Sequence, residues 1–123
     1  MGPVEPRMAV TERSPAQVVQ HHLDAVRKGD PQAMAADYAS DATLERPGAC
    51  WTGRDAVAAY FLTVPARLAG GRVEFTGFDQ STLSVRWQIV GGPGHGTRGT
   101  DRYEVRDGRI ARQTVHLDGG ADF

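Results

Sequence analysis

The sequence has one cysteine, one lysine and no asparagine, and it contains no long run of apolar residues. Because Cys50 stands alone, an internal disulfide framework and a zinc site built from several cysteines are both excluded. No apolar stretch approaches the roughly 18 to 20 residues that span a bilayer, and the first residues lack the charged and then apolar pattern of a secretory signal. We therefore expect a cytoplasmic protein with no membrane partner.

The charges are nearly balanced, with 14 basic and 15 acidic residues. Such a chain has no excess positive field to hold a phosphate backbone, so we expect no nucleic-acid partner. Its 123 residues are enough to bury a core without disulfides or structural metal. We interpret residues 1–13, which contain two prolines, as a flexible N-terminal arm and residues 14–123 as a single domain.

The first predicted helix has a clear start and a clear apolar face. Ser14 is placed to cap it, Pro15 occupies its first position, and apolar residues at spacings of three and four carry the pattern to about Lys28. His22 lies inside this apolar stripe. The stripe must face the core, so we expect His22 to be buried.

The signal of a cap followed by proline recurs at Asp30 and Pro31, and it predicts a short second helix that reaches about Ala39. Residues 41–47 then have the pattern of a short strand. A loop that contains Trp51 is expected to follow this strand.

A third helix is predicted after Gly53, and Pro65 is expected to bend or end it. Beyond it, apolar residues recur at every second position, which is typical of half-buried antiparallel strands. These strands are predicted around residues 73–75, 83–89, 100–106 and 109–117, with a hairpin turn at Asp107 and Gly108.

The sequence offers no convincing cofactor or metal site. Residues 94–99 match the letters of a dinucleotide-binding fingerprint, but they join two strand-like segments rather than a strand and a helix. We interpret them as a hairpin loop and expect no cofactor. His21 and His22 are adjacent rather than one helical turn apart, and no acidic residue completes a ligand set, so we expect no metal.

Four segments together resemble the SnoaL-like and ketosteroid-isomerase-like branch of the nuclear transport factor 2-like (NTF2-like) superfamily. They are Gly29-Asp30, residues 38–43 (YASDAT), residues 53–61 (GRDAVAAYF) and residues 101–110, in which Asp101 precedes YEVRDGRI. The resemblance implies an α+β cone in which three helices pack on a strongly curved, mostly antiparallel sheet that encloses a pocket. It also implies a homodimer formed through the outer face of the sheet.

Asp101 is the first candidate for chemistry. It shares a strand face with Gly99, Tyr103 and Val105, so its carboxyl is expected to point into the pocket, where burial favours the neutral form. By the resemblance, Asp101 takes the position of the oxyanion-stabilising aspartic acid of ketosteroid isomerase. The alternative is an aspartate satisfied by backbone groups or by an arginine.

His22 and Arg46 are the other candidate catalytic residues. By the resemblance, His22 replaces the oxyanion-hole tyrosine, and we expect it to approach Asp101 and form a proton-transfer dyad; the alternative is a satisfied core histidine. Arg46 replaces the aspartate that shuttles the proton, so steroid isomerisation by that mechanism is not expected. An inward Arg46 binds a substrate oxyanion or pairs with Asp101, while Glu45 is expected on the opposite face unless a bulge turns it inward.

Aromatic side chains are the candidates for ligand contact, and they suit a small hydrophobic ligand that is flat or polycyclic. The candidates are Tyr38, Trp51, Phe61, Trp87 and Tyr103, whereas Tyr60 is assigned to the core.

Three functions fit these residues. The first is a cofactor-independent general acid/base enzyme of cyclase or isomerase type that acts on a polyketide-, steroid- or terpenoid-like molecule. The second is a catalytically silent ligand-binding or dimerisation module, and the third is an epoxide hydrolase of the limonene-epoxide-hydrolase type, which needs a second inward aspartate. An open pocket on the order of several hundred cubic ångströms among His22, Arg46 and Asp101 would distinguish the enzyme from the silent module.

Overall fold

Residues 12–119, which the computed structural model describes, form three helices and six strands. In chain order the elements are α1 (Pro15–Lys28), α2 (Pro31–Ala36), β1 (Tyr38–Arg46), β2 (Ala49–Thr52), α3 (Arg54–Leu68), β3 (Arg72–Asp79), β4 (Ser84–Val90), β5 (Arg98–Arg106) and β6 (Arg109–Gly119). Most of the predicted N-terminal arm, residues 1–11, and the last four residues of the predicted domain lie outside the described residues. No helix within residues 12–119 is long and apolar enough to cross a membrane.

All six strands form one sheet in the order β2-β1-β6-β5-β4-β3. Neighbouring strands are antiparallel except for β1 and β6, which run parallel. The pairing register shifts in β1, in β3 and at two places between β5 and β6, and such bulges bend a strand and increase its twist. The sheet therefore curves around the helices, and the predicted α+β cone is confirmed.

Helix α1 begins with the predicted capping box. The Ser14 hydroxyl accepts from the Gln17 amide at 3.1 Å, and the Gln17 side chain accepts from the Ser14 amide at 2.8 Å. Gly29, with a φ of 67°, ends the helix in the left-handed conformation that glycine adopts without steric cost. The buried face carries Val18, Val19, His22, Leu23 and Ala25, which confirms the predicted apolar stripe.

The β5–β6 hairpin turn also forms where the sequence predicts it. Asp107 and Gly108 both have positive φ angles, 53° and 73°, as the tight turn between two twisted strands requires. The pattern of alternating burial along β4 and β5 matches the predicted strand faces.

The second helix is shorter than predicted. It ends at Ala36, and β1 already begins at Tyr38. The Ile110 amide donates to the Asp37 carbonyl at 2.8 Å, and Tyr38 pairs with Ile110 in the parallel ladder. Sheet pairing with a distant part of the chain therefore outweighs the local tendency to continue the helix.

The expectation for Trp51 is wrong, and of the two outcomes expected at Pro65 the end of the helix is not found. Trp51 does not lie in a loop, because β2 pairs antiparallel with β1 and places Trp51 opposite Leu44. Pro65 does not end α3, which continues to Leu68. A proline in the last turn removes only one internal hydrogen bond, and Ala69 then closes the helix by donating to the Pro65 carbonyl at 3.1 Å.

A buried carboxylate ties the start of α1 to the sheet. The Asp37 side chain is 4% exposed; one oxygen accepts from Arg13 Nη1 at 2.9 Å and the other lies 2.7 Å from His21 Nδ1. Arg13 also donates to the Gly108 carbonyl at 2.7 Å. Residue 13, which the sequence assigned to the N-terminal arm, is therefore fixed to the domain, and His21 has a partner although its ring is mostly exposed.

We predict that Asp37→Asn lowers the free energy of unfolding by about 2 kcal/mol, because it weakens charge-assisted hydrogen bonds at a buried site. Urea denaturation followed by far-UV circular dichroism measures this change. The matched control is Asp24→Asn, which removes an exposed ion pair with Arg27 and should cost less than about 0.5 kcal/mol. Equal effects of the two substitutions would contradict the structural importance of Asp37.

Candidate functional site

A cavity of about 90 Å³ lies between the helices and the concave face of the sheet. Most of its wall is apolar, and its polar lining residues are His22, Arg46, Tyr60, Asp101, Tyr103 and Gln113. The cavity is therefore smaller than the several hundred cubic ångströms that would distinguish the enzyme from the silent module, because aromatic and branched side chains from both layers fill the cone. For comparison, an apolar cavity of about 150 Å³ holds one benzene molecule.

Asp101 projects into this cavity from β5, as the strand alternation predicts. Its Oδ1 accepts from Trp87 Nε1 at 2.8 Å, and its Oδ2 accepts from Gln113 Nε2 at 2.9 Å. Burial raises the pKa of Asp101 to about 7, while these hydrogen bonds and the positive charge of Arg46 act in the opposite direction. The carboxyl is therefore present in both protonation states near neutral pH.

His22 is buried and lines the cavity, but it does not form the expected dyad with Asp101. Its Nδ1 lies 3.0 Å from the Met34 carbonyl, and its Nε2 lies 3.4 Å from the Tyr38 hydroxyl. The hydroxyl of Tyr38 in turn donates to Gln113 Oε1, so two side chains separate the imidazole from the carboxyl. Burial lowers the pKa of His22 to about 4, which keeps the ring neutral at physiological pH.

Arg46 reaches the cavity from β1, and its Nη1 donates to the Tyr60 hydroxyl at 3.3 Å. The hydrogen bonds of the Asp101 carboxyl come from neutral side chains, so the alternative of a direct Arg46–Asp101 pair is not the arrangement found. Glu45 does not turn inward, because it accepts from Arg112 at 2.9 Å on the outer face. Arg46 thus contributes a positive charge to the cavity without contacting the acid.

The aromatic candidates divide into two groups. Phe61, Trp87 and Tyr103 line the cavity. Tyr38 is fully buried behind the lining; its hydroxyl contacts His22 and Gln113, and its ring packs against His22 and Phe61. Trp51 lies outside the lining and stacks on Tyr60, with ring centroids 4.5 Å apart. Tyr38 and Trp51 therefore lie outside this lining, next to residues that belong to it, and their contact with a ligand stays a prediction.

Two site residues were missed in the sequence. Gln113 shares its strand face with Val115 and Leu117, so a polar side chain interrupts an apolar inward face, and this was the available signal. Tyr60 was assigned to the core, but its hydroxyl binds Arg46 and its ring lies under Arg67, whose Cζ is 5.0 Å from the ring centroid. Its position at the cavity depends on packing that no local pattern reveals.

Gly99 makes room for the indole that holds Asp101. A Cβ at this position would lie 2.5 Å from Trp87 Cζ2 and 2.4 Å from the His116 carbonyl oxygen. Trp87 and Gly99 are also direct partners in the β4–β5 ladder. The absent side chain thus allows the indole to lie across β5 and point its N–H at Asp101.

We predict that Gly99→Ala lowers the free energy of unfolding by about 1 to 3 kcal/mol, the usual cost of overpacking, and raises the pKa of Asp101 as the indole moves away. Denaturation measures the first effect, and carbon-13 NMR of the aspartate carboxyl measures the second. Gly77→Ala is the control, since its Cβ would meet only the flexible end of Arg86. An unchanged Asp101 titration in Gly99→Ala would contradict the proposed role of the glycine.

The raised pKa of Asp101 also predicts a pH dependence of stability. Because the folded pKa lies above the unfolded one, the folded state binds more protons at Asp101 between about pH 4 and pH 7, and the contribution of Asp101 to wild-type stability falls as pH rises through this window. Asp101→Asn removes this loss. The difference in unfolding free energy, variant minus wild type, should therefore increase by roughly 3 kcal/mol from pH 4 to pH 7. A difference that stays constant with pH would show that Asp101 titrates normally.

Comparison with known proteins identifies the family to which the chain belongs. The SnoaL-like domain model matches residues 19–113 of this chain. A crystal structure from Sinorhizobium meliloti, provisionally named a polyketide cyclase, is 28% identical with a TM-score of 0.67, and the match covers 86% of this chain and 98% of that one. No curated protein matches the sequence.

Two other solved structures, each 22% identical, show the same fold. One is a nuclear transport factor 2-like protein of unknown function from Mesorhizobium loti, with a TM-score of 0.74 and coverage of 95% of this chain and 98% of that one. The other is from Agrobacterium tumefaciens and is provisionally named an isomerase of the SnoaL-like family, with a TM-score of 0.68 and coverage of 85% and 97%. Because the domain model spans most of the sequence, this chain belongs to the SnoaL-like family of the nuclear transport factor 2-like superfamily.

Proposed function

We propose that the protein binds a small, largely apolar molecule with a carbonyl oxygen in this cavity and catalyses a cofactor-independent proton transfer of cyclase or isomerase type. The observation that carries the proposal is the buried Asp101 carboxyl, whose pKa of about 7 lets it accept and return a proton near neutral pH. The provisional name of the Sinorhizobium meliloti relative supports this class of reaction.

The charged side chains of the cavity suggest a separate role for each group in the proton transfer. An ionised Asp101 removes a proton from the carbon next to the ligand carbonyl, and the electron pair moves onto the carbonyl oxygen. Arg46 and the Tyr60 hydroxyl, which already share a hydrogen bond, stabilise this developing negative charge. The protonated Asp101 then returns its proton to the same or another carbon, so the step needs no external base.

His22 has a supporting role in this scheme. Its pKa of about 4 makes it a weak base, and its contacts are to Met34 and Tyr38 rather than to Asp101. We infer that it holds Tyr38 in place instead of exchanging protons with the ligand.

A second candidate function rests on the cavity volume. About 90 Å³ is too small for the polycyclic ligands that the aromatic residues suggested, and it favours either a ligand of few atoms or a silent binding module. The epoxide-hydrolase alternative is not supported, because Asp101 is the one carboxylate among the described residues that line the cavity. Dimerisation through the outer sheet face and a cytoplasmic location stay predictions.

The proposal predicts that the protein exchanges the α-protons of ketones of few atoms, such as acetone and butanone, with deuterium in heavy water. Proton NMR follows this exchange for a panel of ketones without knowledge of the natural substrate. We expect the rate to rise with pH as Asp101 ionises, with a midpoint near its pKa of about 7. Asp101→Asn should reduce the rate by at least about 100-fold, and Arg46→Gln by a similar factor.

The control is Asp41→Asn, which removes an exposed acid that binds Arg106 outside the cavity and should leave the rate unchanged. Exchange that persists in Asp101→Asn would rule out the proposed base. Binding of ketones without any exchange in the wild-type protein would favour the silent module.

A further inference from the structure

A continuous chain of buried polar groups runs along the wall of the cavity from a backbone carbonyl to the candidate base. The Met34 carbonyl lies 3.0 Å from His22 Nδ1, and His22 Nε2 lies 3.4 Å from the Tyr38 hydroxyl. Tyr38 donates to Gln113 Oε1, and Gln113 Nε2 donates to Asp101 at 2.9 Å. All four side chains are buried, so the chain must satisfy its own donors and acceptors.

One end of this chain has a fixed direction. A carbonyl oxygen only accepts, so Nδ1 of His22 must carry the hydrogen that points at Met34. Burial lowers the pKa of His22, and the neutral ring therefore presents only a lone pair at Nε2. At the other end, Asp101 either accepts as a carboxylate or donates as an acid.

The observed arrangement suits an ionised Asp101. Gln113 directs its N–H group at the carboxylate, and the single hydroxyl proton of Tyr38 goes to the oxygen of the same amide. That proton is then not available to His22 Nε2, which is 3.4 Å away. When Asp101 is ionised, its carboxylate therefore accepts a hydrogen bond from Gln113, whereas His22 Nε2 receives no proton from Tyr38.

Protonated Asp101 favours the opposite orientation of the Gln113 amide. In the present orientation a proton on Asp101 Oδ2 would point at an N–H of Gln113. An amide turned by half a revolution would instead present its oxygen to that proton. The turned amide then donates from Nε2 to the Tyr38 oxygen, and the Tyr38 proton turns to His22 Nε2. In this state His22 Nε2 also has a partner within the chain, which matters because a buried polar group without a hydrogen bond destabilises the fold.

We propose that Gln113 is a positioning residue whose side-chain amide turns over when Asp101 gains a proton, and that this turn redirects the Tyr38 hydroxyl to His22. An amide suits this role because its oxygen and nitrogen have nearly the same shape, so the turn needs no repacking of the core. This proposal goes beyond the proposed reaction and does not depend on it. If the reaction takes place, the turn of the Gln113 amide would bring the free energies of protonated and ionised Asp101 closer together.

Asp101 is the trigger near neutral pH. The other titratable or charged groups that surround it come from five elements: His22 of α1, Arg46 of β1, Tyr60 of α3, Tyr103 of β5 and Asp118 of β6. Burial keeps the pKa of Tyr38 and of Tyr103 well above the ordinary value, so both phenols remain protonated, and His22 remains neutral. A change in the hydrogen bonding of His22 near neutral pH would therefore be caused by the titration of the Asp101 carboxyl.

The test is NMR of the whole protein labelled with carbon-13 in aspartate and nitrogen-15 in histidine, titrated from about pH 5.5 to about pH 8.5 around the Asp101 pKa of about 7. As pH falls, we expect the His22 Nε2 signal to move toward that of a hydrogen-bonded acceptor with the same midpoint as the Asp101 carboxyl, while Nδ1 keeps its proton. A titrating Asp101 with an unresponsive His22 would overturn the proposal, and so would an Asp101 that does not titrate.

Tyr38→Phe supplies the matched variant, because it removes the hydroxyl that links the amide to His22 and leaves the ring packing intact. Asp101 should still titrate in this variant, while the His22 response disappears. If His22 still responds, the coupling passes through space and the amide turn is wrong. Gln113→Met gives the same comparison if Tyr38→Phe fails to fold. The result is independent of ketone exchange, so a protein without catalytic activity would still pass or fail this test.

Discussion

The burial of one carboxyl on the concave face of the sheet determines how three neighbouring strands are built. Asp101 lies on β5, and its two oxygens accept from Trp87 on β4 and Gln113 on β6. Gly99 on β5 leaves the space that the indole of Trp87 occupies. A buried acid is costly unless its hydrogen bonds are made, so these positions are constrained together rather than one by one.

The two buried titratable groups of the site oppose each other in their effect on stability. Asp101, with a raised pKa, favours the folded state at low pH, whereas His22, with a lowered pKa, disfavours it there because the unfolded chain protonates first. Between about pH 4 and pH 6.5 the two effects have opposite signs and similar size. The site therefore holds an acid and an imidazole out of water while adding little net pH dependence to the fold.

The sequence predicted the parts of this structure that depend on neighbouring residues. The capping box at Ser14 and the inward direction of Asp101 both follow from short-range patterns. The start of β1 at Tyr38 was not predictable in this way, because it depends on pairing with a strand near the end of the chain. The separation of His22 from Asp101 depends on which side chains fill the space between them, and the cavity volume depends on the same packing.

The arginine at position 46 changes what the remaining acid must do. By the resemblance to ketosteroid isomerase, this position holds the base that moves the proton, while the position of Asp101 only stabilises an oxygen. In this protein the position of that base holds the cationic side chain of Arg46, which lines the cavity, and Asp101 has a pKa of about 7. In the proposed reaction the two roles are therefore exchanged: the arginine stabilises the negative oxygen, and Asp101 moves the proton. On this proposal the same fold would support the same kind of chemistry with the acid on a different strand, provided that the ligand is small enough for the cavity.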